Sequence, residues 1–203
     1  MSIIPYLKTI GRGKDGARSL ERAQAADLLG QVLDGQVNDL QLGAFCIAMR
    51  VKGETANEMA GFLDAIHARL QRLPASDMPL VVLPSYNGAR RLPLLTPLLA
   101  LLLAREGLPV LMHGTPTEDA RVFITELLPA LGIATLTAPE KIAKGSVRFV
   151  ATHTLLPALQ RLLDVRRTLG LRNTAHSLVK MMNPSHGAAV VVGSYTHPEF
   201  ATL

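Results

Sequence analysis

The first seventy residues carry apolar side chains at the three- and four-residue spacing of amphipathic helices. This spacing predicts a short helix in "IIPYLKTI" and three longer helices, over about 20–33, 39–51 and 56–70. Ser19, Asn38 and Thr55 precede the longer helices and are predicted to cap them, the last within the capping box "TANE". In the 39–51 helix, the residues expected to face inward are Leu40, Ala44, Ile47 and either Met49 or Val51.

From about residue 76 the pattern changes to short apolar runs that alternate with helical stretches. Strands are predicted at 80–83, 109–112, 147–151 and 188–193, and helices at 96–106, 117–131 and 154–164. Strand–helix alternation is typical of a parallel sheet covered by helices. The sequence therefore predicts an α/β fold in two parts, a helical subdomain over 1–75 and a parallel-sheet α/β domain over 76–203. Because the chain stops just after a strand, we expect the sheet to be incomplete at its C-terminal end, or a partner to cover it.

Composition limits the classes of protein to consider. Of the 203 residues, 48% are hydrophobic, which is enough for a proper core, and no apolar run reaches the roughly 18 residues of a membrane span. The N-terminus has no secretory signal pattern. The single cysteine, Cys46, lies among apolar residues and is expected to be buried and unreactive. These features together predict a cytoplasmic protein.

Positive charge is concentrated in one part of the chain. The net charge is +5, yet residues 141–180 alone hold eight lysines and arginines against one acid, Asp164. Five of the eight are arginines, which suit bidentate contacts with phosphate better than lysines do. This segment predicts a phosphate-rich partner, with a plain solvated face as the alternative.

The loop after the first predicted strand, "LPSYNGARR", has the position of a phosphate-binding loop without its usual residues. In a βαβ unit a phosphate binds in this loop, at the N-terminus of the following helix. Here the loop contains one glycine, no carboxylate and two adjacent arginines, Arg90 and Arg91. These residues suit a polynucleotide backbone better than a nucleotide with its metal ion.

The order of elements, with the stretches "VLMHG" and "VRRTLGLRNTAHSLVKMMNP", resembles anthranilate phosphoribosyltransferase and its relatives in glycosyltransferase family 3. The resemblance covers essentially the whole chain, although family members are longer. The matching residues in the second stretch are Val165, Arg166, Arg167, Leu169, Gly170, Arg172, Asn183 and Pro184. The resemblance implies the fold of these enzymes. It also implies their use of phosphoribosyl pyrophosphate with Mg²⁺, unless the motif residues have changed.

Several motif residues have changed. The family's GTGGDG loop is "LPSYNG" here, which places Asn87 at the family's aspartate, and the lysine of KHGN is Met112. Lys180 stands where the enzymes have a proline. The residues left from a substrate site are then Asn87, Gly88, Thr96, His113, Gly114 and Arg166. This pattern resembles the YbiB-like branch of the family, which implies homodimers that bind nucleic acid without strong sequence preference.

The sequence therefore favours a nucleic-acid-binding protein that forms homodimers through its N-terminal helices, with no catalytic residue, metal or cofactor. The predicted contacts with single- or double-stranded DNA or RNA are Tyr86, Arg90, Arg91, Lys141, Lys144, Arg148, Arg166, Arg167, Arg172 and Lys180. Tyr86 could instead be a loop residue packed on a neighbouring helix, and Arg166 could instead bind a small carboxylate or form a salt bridge. The alternative function is phosphoribosyl transfer to anthranilate or another acceptor, with Mg²⁺ and phosphoribosyl pyrophosphate. A third is a protein-interaction module without activity.

Overall fold

The computed structural model of the chain describes residues 2–13, 15–89 and 92–193. Its described residues fall into two compact units. The first unit contains the described residues up to Arg69 together with Arg161–Leu178, and the second contains Leu70–Gln160 and the described residues 179–193. The predicted boundary near residue 75 is therefore incomplete, because the segment Arg161–Leu178 returns to the helical unit.

The first unit is helical, as predicted. Its N-terminal helices are α1 (Ile4–Ile10), α2 (Arg22–Leu33), α3 (Asp39–Lys52) and α4 (Ala56–His67). Two predicted caps are confirmed: Asn38 Oδ1 accepts from the Gln41 N–H at 2.9 Å, and Thr55 Oγ1 accepts from the Glu58 N–H at 3.4 Å. The predicted cap at Ser19 is wrong, because α2 begins two residues later, after Glu21. No helix among the described residues is long and apolar enough to cross a membrane.

The core of the helical unit forms between α2, α3 and α4. Leu28, Phe45, Met49 and Phe62 are completely buried, and the rings of Phe45 and Phe62 meet edge to face with centroids 6.1 Å apart. The inward face predicted for α3 is largely wrong. Its outer face carries Leu40, Ile47 and Val51, which are 86%, 37% and 71% exposed.

A buried ion pair joins α3 to α4. Lys52 Nζ lies 2.7 Å from Glu58 Oε2, and the two side chains are 8% and 0% exposed. Glu58 also accepts hydrogen bonds from the backbone N–H of Leu20 at 2.9 Å and from Thr55. This buried carboxylate is therefore held by several donors, as a buried charge must be.

The second unit is built on a parallel sheet, as predicted, but the sheet has five strands instead of the expected four. The strands are β1 (Leu80–Pro84), β2 (Val110–Gly114), β3 (Ala134–Leu136), β4 (Val147–Ala151) and β5 (Ala189–Val191), in the order β3-β4-β2-β1-β5. All four strand pairs are parallel, so the carboxyl ends of the strands lie at one edge. Pro84 pairs with His113, and Gly114 pairs with Ala151.

Helix α5 (Thr96–Arg105) packs on one face of this sheet. Its small residues Ala100 and Ala104 join a core that includes Leu83, Met112 and Phe149. Small side chains let the helix approach the sheet closely. The remaining helices are α6 (Ile124–Leu127), α7 (Thr152–Leu155), α8 (Pro157–Leu169) and α9 (Ala175–Leu178).

The sequence was misleading in two regions of the second unit. Instead of a helix over 117–131, the structure has only the four-residue α6, because part of this segment pairs with the loop after β1. The short strand β3 was not predicted. Its residues Ala134 and Thr135 are exposed, so the run lacks the apolar character of a buried strand.

Candidate functional site

The loop after β1 lies at the carboxyl edge of the sheet, where it forms a buried turn. Ser85 and Tyr86 are 6% and 4% exposed. The Ser85 N–H donates to the His113 carbonyl at 2.8 Å, which continues the pairing of β1 with β2. In parallel α/β sheets this edge is where ligands bind.

Tyr86 is hydrogen-bonded inside the protein. Its hydroxyl lies 2.8 Å from His113 Nδ1 and 2.9 Å from Thr152 Oγ1. The rings of Tyr86 and His113 meet edge to face with centroids 5.4 Å apart. Since β1, β2 and β4 each end beside one of these residues, the tyrosine joins three adjacent strands. The ring is thus fixed within the fold.

Burial keeps both members of this pair uncharged near neutral pH. Desolvation lowers the pKa of the His113 imidazole to about 3. Desolvation also raises the pKa of the Tyr86 phenol, against a smaller opposing effect of the hydrogen bond with Thr152. His113 Nε2 is buried and has no hydrogen-bond partner in the described part of the chain. A neutral imidazole with one unsatisfied nitrogen therefore lies beneath the loop.

A second segment, residues 117–123, holds the loop from outside. Thr117 Oγ1 donates to the Tyr86 carbonyl at 3.2 Å, and Arg121 donates to the Asn87 carbonyl. Ala89 and Val122 form an antiparallel bridge with N–H···O distances of 2.7 and 3.1 Å. The loop backbone is therefore held at three positions, Tyr86, Asn87 and Ala89.

Two glycines permit this close packing. Gly88 has φ +56°, and a Cβ there would lie 2.9 Å from Arg121 Cβ. A Cβ on Gly114 would lie only 2.1 Å from the Ser85 carbonyl oxygen. Both residues were predicted as remnants of a substrate site. In this structure a side chain at either position would collide with a neighbouring segment, with Arg121 at Gly88 and with the Ser85 carbonyl at Gly114.

A small cleft opens above the loop. It is lined by Pro84, Ser85, Tyr86, Asn87, Gly88, Leu94, Thr96 and Lys180, and its volume is about 70 Å³. The cleft brings together five residues that the sequence singled out: Tyr86, Asn87, Gly88, Thr96 and Lys180. Among the described residues of its lining, Lys180 is the one with a charged side chain, and α5 begins at its wall with no side-chain cap on the first turn. These features suit an anion.

The same residues do not fit a magnesium ion. Mg²⁺ is held in proteins by carboxylates and other oxygen ligands. The residues that line the cleft include no carboxylate, and Lys180 adds a positive charge. The described residues also contain no cluster of three or more His, Cys, Asp or Glu side chains able to hold a metal ion.

A larger, more open groove lies at the carboxyl ends of β3 and β4. Its volume is about 370 Å³. The lining residues are Gln71, Thr135, Leu136, Thr137, Ala151, His153 and Thr154. The described lining of the groove is mostly polar and contains no Lys, Arg, Asp or Glu. The sequence pattern gave no sign of it, because its residues come from separate elements.

The predicted basic contacts are distributed over both units. Lys141 and Arg148 lie in the second unit and pair with Asp77 at 2.6 Å and Glu140 at 3.6 Å. The stem of Lys144 lies against Gly107. Arg167 pairs with Asp164 at 3.8 Å on α8, in the first unit. Acidic neighbours thus already contact several of these cations.

The remaining arginines predicted to contact nucleic acid lie partly in the helical unit and partly outside the described residues. Arg166 and Arg172 are half-buried in the first unit, and the Arg172 carbonyl accepts from Arg50 at 3.1 Å. Arg90 and Arg91 lie outside the described residues. Of the residues in the predicted remnant site, His113 lies beneath the loop, whereas Arg166 belongs to the helical unit.

The position of Tyr86 corrects one expectation. A ring that stacks on a base must be exposed, whereas this ring is buried and both its neighbours are internal. The ring packs inside the protein, as the alternative interpretation expected, and its neighbours are His113 of β2 and Thr152, the first residue of α7. Sequence reasoning missed Thr152, Thr117 and Arg121, which fix the loop. The only available signal was that Thr152 directly follows a predicted strand.

The similarities of the chain to known proteins agree with one another. Residues 4–69 match the model of the glycosyl transferase family, helical bundle domain. The chain is 39% identical over 201 residues to the uncharacterized protein YbiB of Escherichia coli, covering 96% of this chain and 63% of that protein. It is 30% identical to an anthranilate phosphoribosyltransferase of Leifsonia xyli, covering 86% of this chain and 51% of that enzyme.

Solved structures agree in fold. The chain superimposes on anthranilate phosphoribosyltransferase from Thermus thermophilus with a TM-score of 0.75 at 24% identity, covering 96% of this chain and 59% of that one. At 24% identity, this structural similarity shows that the two chains share a fold. In each of these comparisons the chain spans less than two thirds of the relative's length. The helical-bundle match, the parallel sheet and the sequence matches together support placing the chain with glycosyltransferase family 3, the family of the anthranilate phosphoribosyltransferases.

Proposed function

We propose that the chain binds nucleic acid in the cytoplasm, through phosphate contacts and without strong sequence preference, on its phosphoribosyltransferase fold. The observation that carries the proposal is the size and chemistry of the cleft above the β1 loop. Pockets for small molecules have volumes of roughly 300–1,000 Å³, whereas this one has about 70 Å³. The enclosed space between the described residues is therefore nearer the size of a single phosphate group than the size of a pocket for a whole sugar diphosphate.

The charge of the cleft supports the same proposal. Lys180 and the uncapped start of α5 both favour an anion there. Arg90 and Arg91 follow the loop in the sequence, and the 141–180 segment adds a charge of +7. A polynucleotide offers a row of single phosphates that such a surface can bind one at a time.

The experiment is an anisotropy titration of a labelled single-stranded oligonucleotide over a series of salt concentrations. With roughly four to six phosphates neutralised, log K falls against log salt with a slope of about −3 to −4 on single strands and about −4 to −5 on duplex. Replacing Arg90 and Arg91 together by alanine weakens binding to every sequence alike and flattens the slope by about 1 to 2.

Arg105→Ala is the control for net charge, since Arg105 is exposed at the far end of α5. This variant binds nearly as the parent does. Binding that is independent of salt, or a double variant that matches the parent throughout the series, contradicts the proposal.

Phosphoribosyl transfer is the second candidate, and the comparisons give it more support. Several relatives are named anthranilate phosphoribosyltransferase, and none of those named above is named for nucleic-acid binding. The local geometry is the evidence against it, since the cleft lacks the volume and the carboxylates. Formation of fluorescent phosphoribosyl-anthranilate at stoichiometric protein concentration would establish this function and displace the first.

We also propose that the chain forms a homodimer through its N-terminal helices. The observation is the exposed apolar face of α3, where Leu40 and Val51 are 86% and 71% exposed and Ile47 lies between them. These positions are spaced by four and seven residues, so they share one side of the helix. A second copy is a suitable cover for such a face.

A further inference from the structure

The side chain of Tyr86 occupies the place where this kind of fold most often holds a ligand. The residue follows β1, His113 lies in β2, and Thr152 follows β4. These three strands are neighbours in the order β4-β2-β1. Ligands of open α/β sheets bind outside the carboxyl ends of the strands. Here the phenol ring of the protein itself lies at that edge.

The surroundings of the ring resemble those of a bound small molecule. Small-molecule sites combine an apolar wall with a few placed polar groups. His113 and Thr152 are both 0% exposed, and the Tyr86 hydroxyl contacts both of them. The unsatisfied Nε2 of His113 is an additional buried polar atom. Without the hydroxyl, the Nδ1 and Oγ1 atoms would lose the partner they have.

We propose that Tyr86 acts as an internal ligand, filling a latent site for a neutral phenol-sized ring and excluding other molecules from it. The class of ligand follows from the polar groups. A neutral hydroxyl that can both donate and accept matches an imidazole nitrogen and a threonine hydroxyl. Because Tyr86 also lines the cleft above the loop, removing its ring would join the latent site to the cleft. This proposal rests on packing and is independent of nucleic-acid binding.

The test is chemical rescue of Tyr86→Ala by phenol. The variant loses the ring and gains a cavity, and cavities of about 150 Å³ in other proteins bind benzene. At a phenol concentration about tenfold above its Kd, the midpoint of thermal unfolding rises by about 3–6 °C. Benzene, which lacks the hydroxyl, gives a smaller rise because Nδ1 and Oγ1 stay unsatisfied.

Two matched variants locate the effect. Tyr86→Phe keeps the ring, so its midpoint does not respond to phenol, and neither does that of the parent chain. In Tyr86→Ala with Thr152→Val, the preference for phenol over benzene is reduced. An equal response of the parent and of Tyr86→Ala, equal responses to phenol and benzene, or no response of Tyr86→Ala overturns the proposal.

A second measurement keeps Tyr86 in place and so does not depend on the folding of Tyr86→Ala. The chain has three tyrosines and no tryptophan. In a Tyr6→Phe, Tyr195→Phe background, tyrosine emission reports Tyr86 alone. Its quenching by acrylamide is several-fold weaker than that of a free tyrosine amide. Quenching as strong as that of the free amide shows a ring outside the site and overturns the proposal.

Discussion

Gly114→Ala tests how closely the β1 loop approaches the end of β2. The added Cβ would lie 2.1 Å from the Ser85 carbonyl oxygen and 3.0 Å from the Ser85 carbonyl carbon. Both are backbone atoms in a paired region, so no side chain can rotate away to make room. The backbone of the loop or of the strand must move.

The cost follows from what this movement breaks. An ordinary contact of 3.4 Å or more requires the two atoms to separate by more than 1 Å. The hydrogen bond from the Ser85 N–H to the His113 carbonyl, 2.8 Å long, would then weaken or break. One buried hydrogen bond is worth about 1 kcal/mol, and overpacking a further 1–3 kcal/mol. We expect a loss of about 2–4 kcal/mol in the free energy of unfolding.

Denaturant unfolding followed by far-UV circular dichroism measures this loss. Gly193→Ala is the matched control in the same unit, since a Cβ there meets nothing within 4 Å. We expect the control to remain within about 0.5 kcal/mol of the parent. A Gly114→Ala variant as stable as this control would refute the close approach on which the description of the site depends.

Three further predictions concern the ion pair, the buried histidine and assembly. Lys52→Met leaves the Glu58 carboxylate buried without its counter-ion, and should lower the free energy of unfolding in urea by about 3–5 kcal/mol. The control is Lys8→Met, at an exposed lysine, which should stay within about 0.5 kcal/mol of the parent. Because burial lowers the pKa of His113 to about 3, against 6.5 ordinarily, the unfolded chain binds the proton more readily between these values. Stability is therefore fully present above pH 6.5 and is lost as the pH falls toward 3, by up to about 1.4 kcal/mol per pH unit. His113→Asn should remove that part of the slope, and an unchanged slope would contradict burial of a neutral imidazole. Leu40→Glu with Val51→Glu should halve the mass by light scattering at micromolar concentration without loss of helix content, and a parent that is already monomeric would exclude the proposed dimer.

Local signals in the sequence predicted the elements that local interactions determine. The caps at Asn38 and Thr55 are side-chain contacts within four residues, so their residue types suffice to place them. The prediction of the inward face of α3 was wrong because that face is determined by contacts with other helices. "LGAFCIAM" is apolar nearly all round, and its spacing could not decide between Phe45 and Leu40 as the buried residue.

The site was predictable in position and not in content. A loop that follows a parallel strand lies at the carboxyl edge whatever its residues, so its placement followed from the strand pattern. The contact between Tyr86 and Thr152 joins residues 66 positions apart. Whether a loop tyrosine points outward or inward depends on such distant partners. The contacts of residues 117–123 with the loop were not predicted for the same reason, because they also join residues far apart in the sequence.

Competition between two phosphate ligands tests the central proposal most directly. A labelled single-stranded oligonucleotide is bound at low salt and at about 0.2 M salt, and phosphoribosyl pyrophosphate with Mg²⁺ is then added to the complex. Because the cleft has room for one phosphate group, we expect the oligonucleotide to bind more weakly at the higher salt and phosphoribosyl pyrophosphate to displace it no better than inorganic pyrophosphate does. No oligonucleotide binding at either salt, together with tight binding of phosphoribosyl pyrophosphate, would contradict the proposal and establish a substrate site in its place.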